Sequence, residues 1–133
     1  MAPVDSQPHV LVVDDDPALL DLYRDVLGDE GYRITATPVA PDDLGAVREL
    51  APDAILLDLR LGGGPGGPSL LERLSTDPAM AAIPVVLCTG AVREVEALRS
   101  RPEGLAAGVV LKPFDLDDLL GTLATAIRTG PAT

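Results

Sequence analysis

The chain has 133 residues, enough for one domain that buries roughly two-thirds of its unfolded surface, so it needs no disulfide or metal staple. Hydrophobic residues make up 47%, which excludes general disorder. Acidic residues number 21 against 10 basic, for a net charge of −11, the opposite of the basic face that a nucleic-acid binder presents. Nine of the ten basic residues are Arg, and Lys112 is the only lysine.

The single cysteine, Cys88, lies inside the apolar run Val85–Cys88 and reads as a small buried hydrophobe. No disulfide framework can form within the chain, which suits a reducing compartment. Residues 1–8 lack the charged and apolar regions of a signal peptide, and no apolar stretch approaches the roughly 20 residues of a membrane span. A soluble, cytoplasmic protein is expected.

Short apolar runs alternate with amphipathic segments. His9–Val13 is Val-rich and too short for a helix, and reads as a strand buried on both faces. Asp16-Pro17 signals a helix start, with Asp as cap and Pro at the first position. Leu20, Tyr23 and Leu27 follow at helical spacing, and Gly31 sits just past the end. A second strand spans 32–36, and a helix over 42–50 carries Leu44, Val47 and Leu50. The third strand, Ala54–Leu57, ends at Asp58. A Gly/Pro loop over 62–68 precedes a short helix with Leu70, Leu71 and Leu74. The fourth strand, 83–88, ends at Thr89, and Val92, Val95 and Leu98 mark a helix broken by Pro102. The fifth strand, 107–111, ends at Lys112. Asp115 caps a last helix in which Leu116, Leu119, Leu120, Leu123 and Ile127 form one stripe. Five strands separated by helical segments predict repeated βα units and a parallel sheet with helices on both faces. The expected organisation is an N-terminal extension over 1–8, one domain over 9–128 and a tail over 129–133.

In such a sheet, ligands bind beyond the carboxyl ends of the strands. The polar residues standing there are Asp14, Asp15 and Asp16 after the first strand, Asp58 after the third, Thr89 after the fourth and Lys112 after the fifth. Carboxylates that converge from adjacent strands repel one another unless a cation joins them. Hard oxygen donors completed by water and phosphate suit Mg²⁺. An Asp carboxylate can attack phosphorus, and phosphoryl transfer depends chiefly on positioning and charge neutralisation. Nucleophile, metal, hydroxyl and ammonium together read as a phosphoryl-accepting site. Asp16 reads as a helix cap, and the pairs Asp42-Asp43 and Asp117-Asp118 as helix-start charges favoured by the dipole. No Cys or His partner exists for a nucleophilic triad, and His9 has no catalytic role in this reading.

Val12-Val13-Asp14-Asp15-Asp16-Pro17, Leu56-Leu57-Asp58-Leu59-Arg60, Pro84-Val85-Val86-Leu87-Cys88-Thr89-Gly90 and Leu111-Lys112-Pro113-Phe114 resemble, in order and spacing, the receiver domains of two-component response regulators. The resemblance covers about residues 8–128. It implies a flavodoxin-like, three-layer αβα fold: a five-stranded parallel sheet of order 2-1-3-4-5 flanked by five helices. It implies that Asp58 accepts a phosphoryl group from a histidine kinase or histidine phosphotransfer protein, with Mg²⁺ held by Asp14, Asp15, Asp58 and the backbone carbonyl of Arg60. Asp15 would be the direct ligand, and Asp14 would act partly through water. Thr89 would be the switch hydroxyl, Lys112 the lysine of the site, and Pro113 the residue that a cis bond often precedes. The domain would be a signalling phosphoacceptor rather than an enzyme, with any catalysis confined to its own phosphorylation and dephosphorylation. It would act on an unidentified output partner or domain without touching membrane or nucleic acid, and a phosphorylation-linked homodimer fits the family.

Two features depart from the family pattern. The segment Leu61-Gly62-Gly63-Gly64-Pro65-Gly66-Gly67-Pro68 replaces the usual Pro and Asp-Gly turn and is about one residue longer. It reads as a surface loop that tolerates drift, or as a loop over the site that alters access or phosphate lifetime. Three residues before the lysine, Val109 stands where the family often has Tyr or Phe, so the usual pairing of threonine and aromatic ring cannot operate. These departures motivate an alternative, a receiver-like docking module that works without phosphorylation. A haloacid-dehalogenase-like phosphatase would need a second Asp where Arg60 stands, and a cap domain. No output segment follows the last helix in these residues, so either a stand-alone regulator or the receiver part of a longer chain is expected.

Overall fold

Every residue of the run His9–Val13 is buried, the pattern of a strand covered on both faces. A computed structural model of the chain describes residues 7–39, 41, 44–59, 66–90, 92–99 and 107–129. Among them, strands β1 (His9–Val13), β2 (Arg33–Thr37), β3 (Ala54–Leu57), β4 (Val85–Thr89) and β5 (Gly108–Leu111) alternate with helices α1 (Pro17–Asp29), α2 (Leu44–Leu50), α3 (Gly66–Thr76), α4 (Val92–Arg99) and α5 (Leu116–Thr129). The strands form one parallel sheet of order β2-β1-β3-β4-β5, as expected from the sequence.

Alternation along the strands sorts the core into two layers. Leu11, Val13, Ile55, Leu57, Val85 and Leu87 face Val47 of α2, Leu70, Leu71 and Leu74 of α3, and Val95 of α4. Val10, Val12, Ala54, Leu56, Val86, Cys88 and Val110 face Leu20, Tyr23 and Leu27 of α1 and Leu119, Leu123 and Ala126 of α5. The helices therefore divide three to one face and two to the other, and the sheet separates them. β2 lies at an edge and is only partly buried, which explains its weaker hydrophobic signal.

Local signals act as the sequence predicts at most boundaries. The Asp16 carboxylate accepts the Ala18 N–H at 3.0 Å and caps α1, with Pro17 at its first position. Beyond α1, Gly31 takes a φ of +93°, and its N–H donates to the Gly28 carbonyl at 3.0 Å. The Asp115 carboxylate accepts the Asp117 N–H at 2.9 Å at the start of α5.

Three expectations need correction. The loop expected over 62–68 does not extend to Pro68, because α3 already begins at Gly66. A first helical turn tolerates proline, since its N–H would lack an intrahelical acceptor anyway. The fourth strand begins at Val85 rather than Ile83, whose N–H closes a turn onto the Met80 carbonyl at 3.0 Å. Leu116 does not join the α5 stripe but remains 41% exposed, while Leu119 and Leu123 carry the buried contact. Residues 42–43, 60–65 and 100–106, which include Arg60, most of the glycine loop and Pro102, lie outside the described residues.

Gly108 sets the distance between β5 and α5. A Cβ placed there would lie 2.6 Å from Cγ2 of Thr122, too close for any β-branched neighbour to absorb without moving. Gly108→Ala is expected to cost about 1–3 kcal/mol, as overpacking of a filled site does. Adding Thr122→Ser, which deletes the offending methyl, should recover most of that loss. Urea unfolding of the single and double variants checks both expectations.

Candidate functional site

Parallel register brings the candidate site residues together. Val13 of β1 pairs with Leu57 of β3, so the next residues, Asp14 and Asp58, stand side by side at the carboxyl edge. The ladder continues through them: Asp14 N–H donates to the Thr37 carbonyl at 3.2 Å, and Asp58 N–H to the Val13 carbonyl at 3.0 Å. Thr89 of β4 pairs with Leu111 of β5, and the Lys112 N–H donates back to the Thr89 carbonyl at 3.0 Å. Four strand ends thus fix the backbones of Asp14, Asp58, Thr89 and Lys112, and α1 begins directly after the acidic residues. The Lys112-Pro113 peptide is cis, as the resemblance implied.

Lys112 holds the site together. Its ammonium donates to Asp14 Oδ2 at 2.7 Å and to Asp58 Oδ2 at 3.0 Å. The two carboxylates are almost fully buried, at 2% exposure for Asp14 and 8% for Asp58. Buried carboxylates this close need a compensating cation, and a compact ammonium with rotatable donors can serve both. Burial alone would lower the Lys112 pKa, but its hydrogen bonds to Asp14 and Asp58 and their negative charge outweigh that and hold it above the usual lysine range. The ammonium therefore stays charged at neutral pH. The second oxygen of Asp14 accepts the Asp16 N–H at 3.0 Å, so its carboxylate is fixed at both ends.

Asp15 is exposed, yet one of its carboxylate oxygens lies with those of Asp14 and Asp58 in a group all within 4.8 Å of one another. One solvent-facing and two buried carboxylates on a single locus match the hard donor set of Mg²⁺, which takes one or two carboxylates and keeps several waters. Thr89 is completely buried at the end of β4. The backbone carbonyl of Arg60 lies outside the described residues. Val109 is half-buried and packs against the layer of Leu87 and Val95.

Part of the site's support was missed in the sequence. Tyr23, read only as one apolar member of the α1 stripe, is hydrogen-bonded through its hydroxyl to Cys88 Sγ at 3.2 Å. Its ring stacks on Phe114, with centroids 6.0 Å apart and planes 17° from parallel. Burial first, then the Cys88 contact and the Asp14 and Asp58 charges, push the Tyr23 hydroxyl far above the ordinary tyrosine range. The Cys88 thiol is also pushed up: burial dominates and the charges of Asp14 and Asp58 add to it, against the lowering by Tyr23 and Lys112. The available signal was a hydroxyl-bearing residue in an otherwise aliphatic stripe. His9 is a satisfied core histidine, its ring within hydrogen-bond distance of Thr35 Oγ1 at 2.7 Å and the Leu50 carbonyl at 3.2 Å.

Comparison with known proteins places this geometry among relatives. Residues 10–124 match the family described as the response regulator receiver domain. The chain is 34% identical over 120 residues to the DNA-binding response regulator MtrA of Mycolicibacterium smegmatis, covering 90% of this chain and 50% of MtrA. It is 31% identical over 121 residues to the DNA-binding dual master transcriptional regulator RpaA of Synechocystis sp., covering 91% of this chain and 49% of RpaA. The chain thus spans about half the length of these relatives. Among solved structures it is similar to the non-phosphorylated HemR receiver domain of Leptospira biflexa, with a TM-score of 0.77, 30% identity, and coverage of 91% of this chain and 94% of that one. It shares the fold of the chemotaxis response regulator CheY4 of Vibrio cholerae, with a TM-score of 0.76, 22% identity, and coverage of 90% and 98% of the two chains.

Two outcomes are expected from this geometry. Millimolar Mg²⁺ should raise the melting temperature, since a ligand bound only by the folded state stabilises it. Asp15→Asn should weaken Mg²⁺ binding roughly tenfold or more, about 1.4 kcal/mol per decade, and remove most of that rise; scanning fluorimetry with and without the metal decides it. The buried Cys88 thiol stays neutral at pH 8, and only the thiolate reacts, so iodoacetamide should alkylate it only after unfolding, as read by intact mass.

Proposed function

The chain belongs to the response regulator receiver domain family, and from that premise we propose that it accepts a phosphoryl group on Asp58 and changes conformation in response. The observation that carries this reading is the single ammonium bridging Asp14 and Asp58 at the carboxyl edge of the sheet, beside Asp15 and Thr89. In the proposed step an oxygen of the Asp58 carboxylate attacks the phosphorus of a phosphohistidine. The P–N bond breaks, its electron pair stays on the imidazole nitrogen, and that nitrogen takes a proton from solvent. Asp58 is left as an acyl phosphate.

The chain's own residues orient this reaction. Lys112, already 3.0 Å from Asp58 Oδ2, holds the nucleophile in place and offers its one remaining donor to a phosphoryl oxygen. Asp14 anchors Lys112 through a second hydrogen bond at 2.7 Å. Thr89 would donate its hydroxyl to a phosphoryl oxygen after the transfer. Asp14, Asp15 and Asp58, with the Arg60 backbone carbonyl, would hold Mg²⁺. The bound ion supplies positive charge to phosphoryl oxygens as negative charge accumulates.

A phosphohistidine on a partner protein needs a surface to dock on. Leu22 of α1 and Leu116 of α5 are 38% and 41% exposed, and they share a cleft with Leu19, Pro113, Phe114 and Lys112 beside the site. We assign this cleft to the kinase or phosphotransfer partner. A net charge of −11 opposes contact with DNA phosphates, so the DNA binding named for MtrA and RpaA is not assigned to this segment. No helix among the described residues is long and apolar enough to cross a membrane, which supports the cytoplasmic reading.

One specific observation favours the second reading, docking without phosphorylation: Val109 offers no ring that could follow Thr89. Under that reading Asp58→Asn would bind its partner as the wild type does. Under the proposed function, phosphoramidate with Mg²⁺ should add the mass of one phosphoryl group to the wild type and none to Asp58→Asn. Leu22→Glu should slow transfer from a phosphohistidine protein about tenfold, the effect of a lost interface anchor, while the rate with phosphoramidate stays unchanged. Failure of the wild type to gain mass overturns the reading.

A further inference from the structure

We propose that Tyr23 is a positioning residue for the phosphoryl site: its ring holds the turn that carries Lys112, and its hydroxyl holds the end of β4 that carries Thr89. The inference rests on the phosphoacceptor reading above and adds to it a residue to which neither sequence nor family match assigns a role.

Three observations carry it. Tyr23 is 1% exposed and among the largest fully buried side chains, so its geometry is set by packing on all sides. Its ring is stacked on Phe114, two residues beyond Lys112 and joined to it through Pro113. Its hydroxyl is paired with Cys88 Sγ at 3.2 Å, one residue before Thr89 on the same strand. One α1 side chain therefore grips the chain segments behind two of the site's four functional groups. Those segments are already joined by the hydrogen bond from Lys112 N–H to the Thr89 carbonyl.

The chemistry of the contact also argues against simple filling. A buried hydroxyl must keep a partner, and sulfur is a weak one. Phenylalanine would occupy nearly the same volume without burying a polar group. What the hydroxyl adds over phenylalanine is direction: it ties the α1 ring to a particular point on β4. With aliphatic Val109 preceding the lysine, Tyr23 and Phe114 are the aromatic pair that links α1, the end of β4 and the turn after β5. A displacement of Thr89 toward a phosphoryl group would be felt at Tyr23 through Cys88, and at Lys112 through Phe114.

The two grips can be cut separately. Tyr23→Phe removes the hydroxyl and keeps the stack; Phe114→Leu removes the stack and keeps the hydroxyl. In metal-free protein, ¹⁵N–¹H spectra should show the Thr89 amide displaced in Tyr23→Phe and the Lys112 amide displaced in Phe114→Leu. With phosphoramidate and Mg²⁺, each variant should be phosphorylated about three- to tenfold more slowly per folded molecule, the rate equivalent of one neutral hydrogen bond or contact. Leu27→Val, one turn farther along α1, serves as the structural control and should lower the melting temperature without altering that rate. Unchanged Thr89 and Lys112 amides in both variants would overturn the proposal. So would a rate loss that Leu27→Val reproduces at equal stability. If the wild type itself gains no phosphoryl group, the phosphoacceptor reading fails, and the metal-free spectra still decide whether Tyr23 positions the two segments.

Discussion

The ammonium of Lys112 shared between Asp14 and Asp58 is the interaction around which the carboxyl edge of this domain is arranged. Two nearly buried carboxylates on neighbouring strands would otherwise face each other in a low dielectric, where a missing counter-charge is costly. The ion pair reaches across the sheet order: Lys112 follows β5, which β4 separates from β3 and its Asp58, and which β4 and β3 separate from β1 and its Asp14. A long, flexible side chain is needed for that span. The cluster therefore fastens the β5 end of the sheet to its middle, and the exposed Asp15 is the carboxylate through which the group meets solvent.

The sheet that builds this cluster also insulates it. One face is covered by α1 and α5, the other by α2, α3 and α4, and the strands' side chains alternate strictly between the two layers. The site sits where both layers end, so Asp14, Asp58, Thr89 and Lys112 take their positions from the ends of four strands. Such a scaffold holds charged groups in fixed relation while the connecting turns vary, and sites on rigid elements are the more exact ones.

Much of this was legible in the sequence because the signals were local. A Val-rich run ending in Asp, a Leu-rich run ending in Asp and a run ending in Lys-Pro each announce a strand and what lies at its end. Parallel pairing then does the rest: with the last strand residues Val13 and Leu57 in register, Asp14 stands beside Asp58. The start of α3 was not legible, because Gly66, Gly67 and Pro68 argue for a loop while a first helical turn accepts them. Leu116 was misplaced because helical spacing assigns a face but not where the covering layer stops. Ala51, which closes α2 with a φ of +46°, carries no turn signal at all. The contact of Tyr23 with Cys88 joins residues 65 apart, and no periodicity encodes a pairing at that range.

The scarcity of lysine has a chemical consequence once its place is known. An acylating or reductively alkylating reagent that seeks lysine amines finds in this sequence one side chain, and the fold has put that amine between two carboxylates. Acylation would erase the positive charge and leave the acidic cluster uncompensated, whereas reductive methylation would keep the charge and reduce the donors. Covalent lysine chemistry, ordinarily diffuse over a protein's surface, is here confined to a single address at the centre of the site.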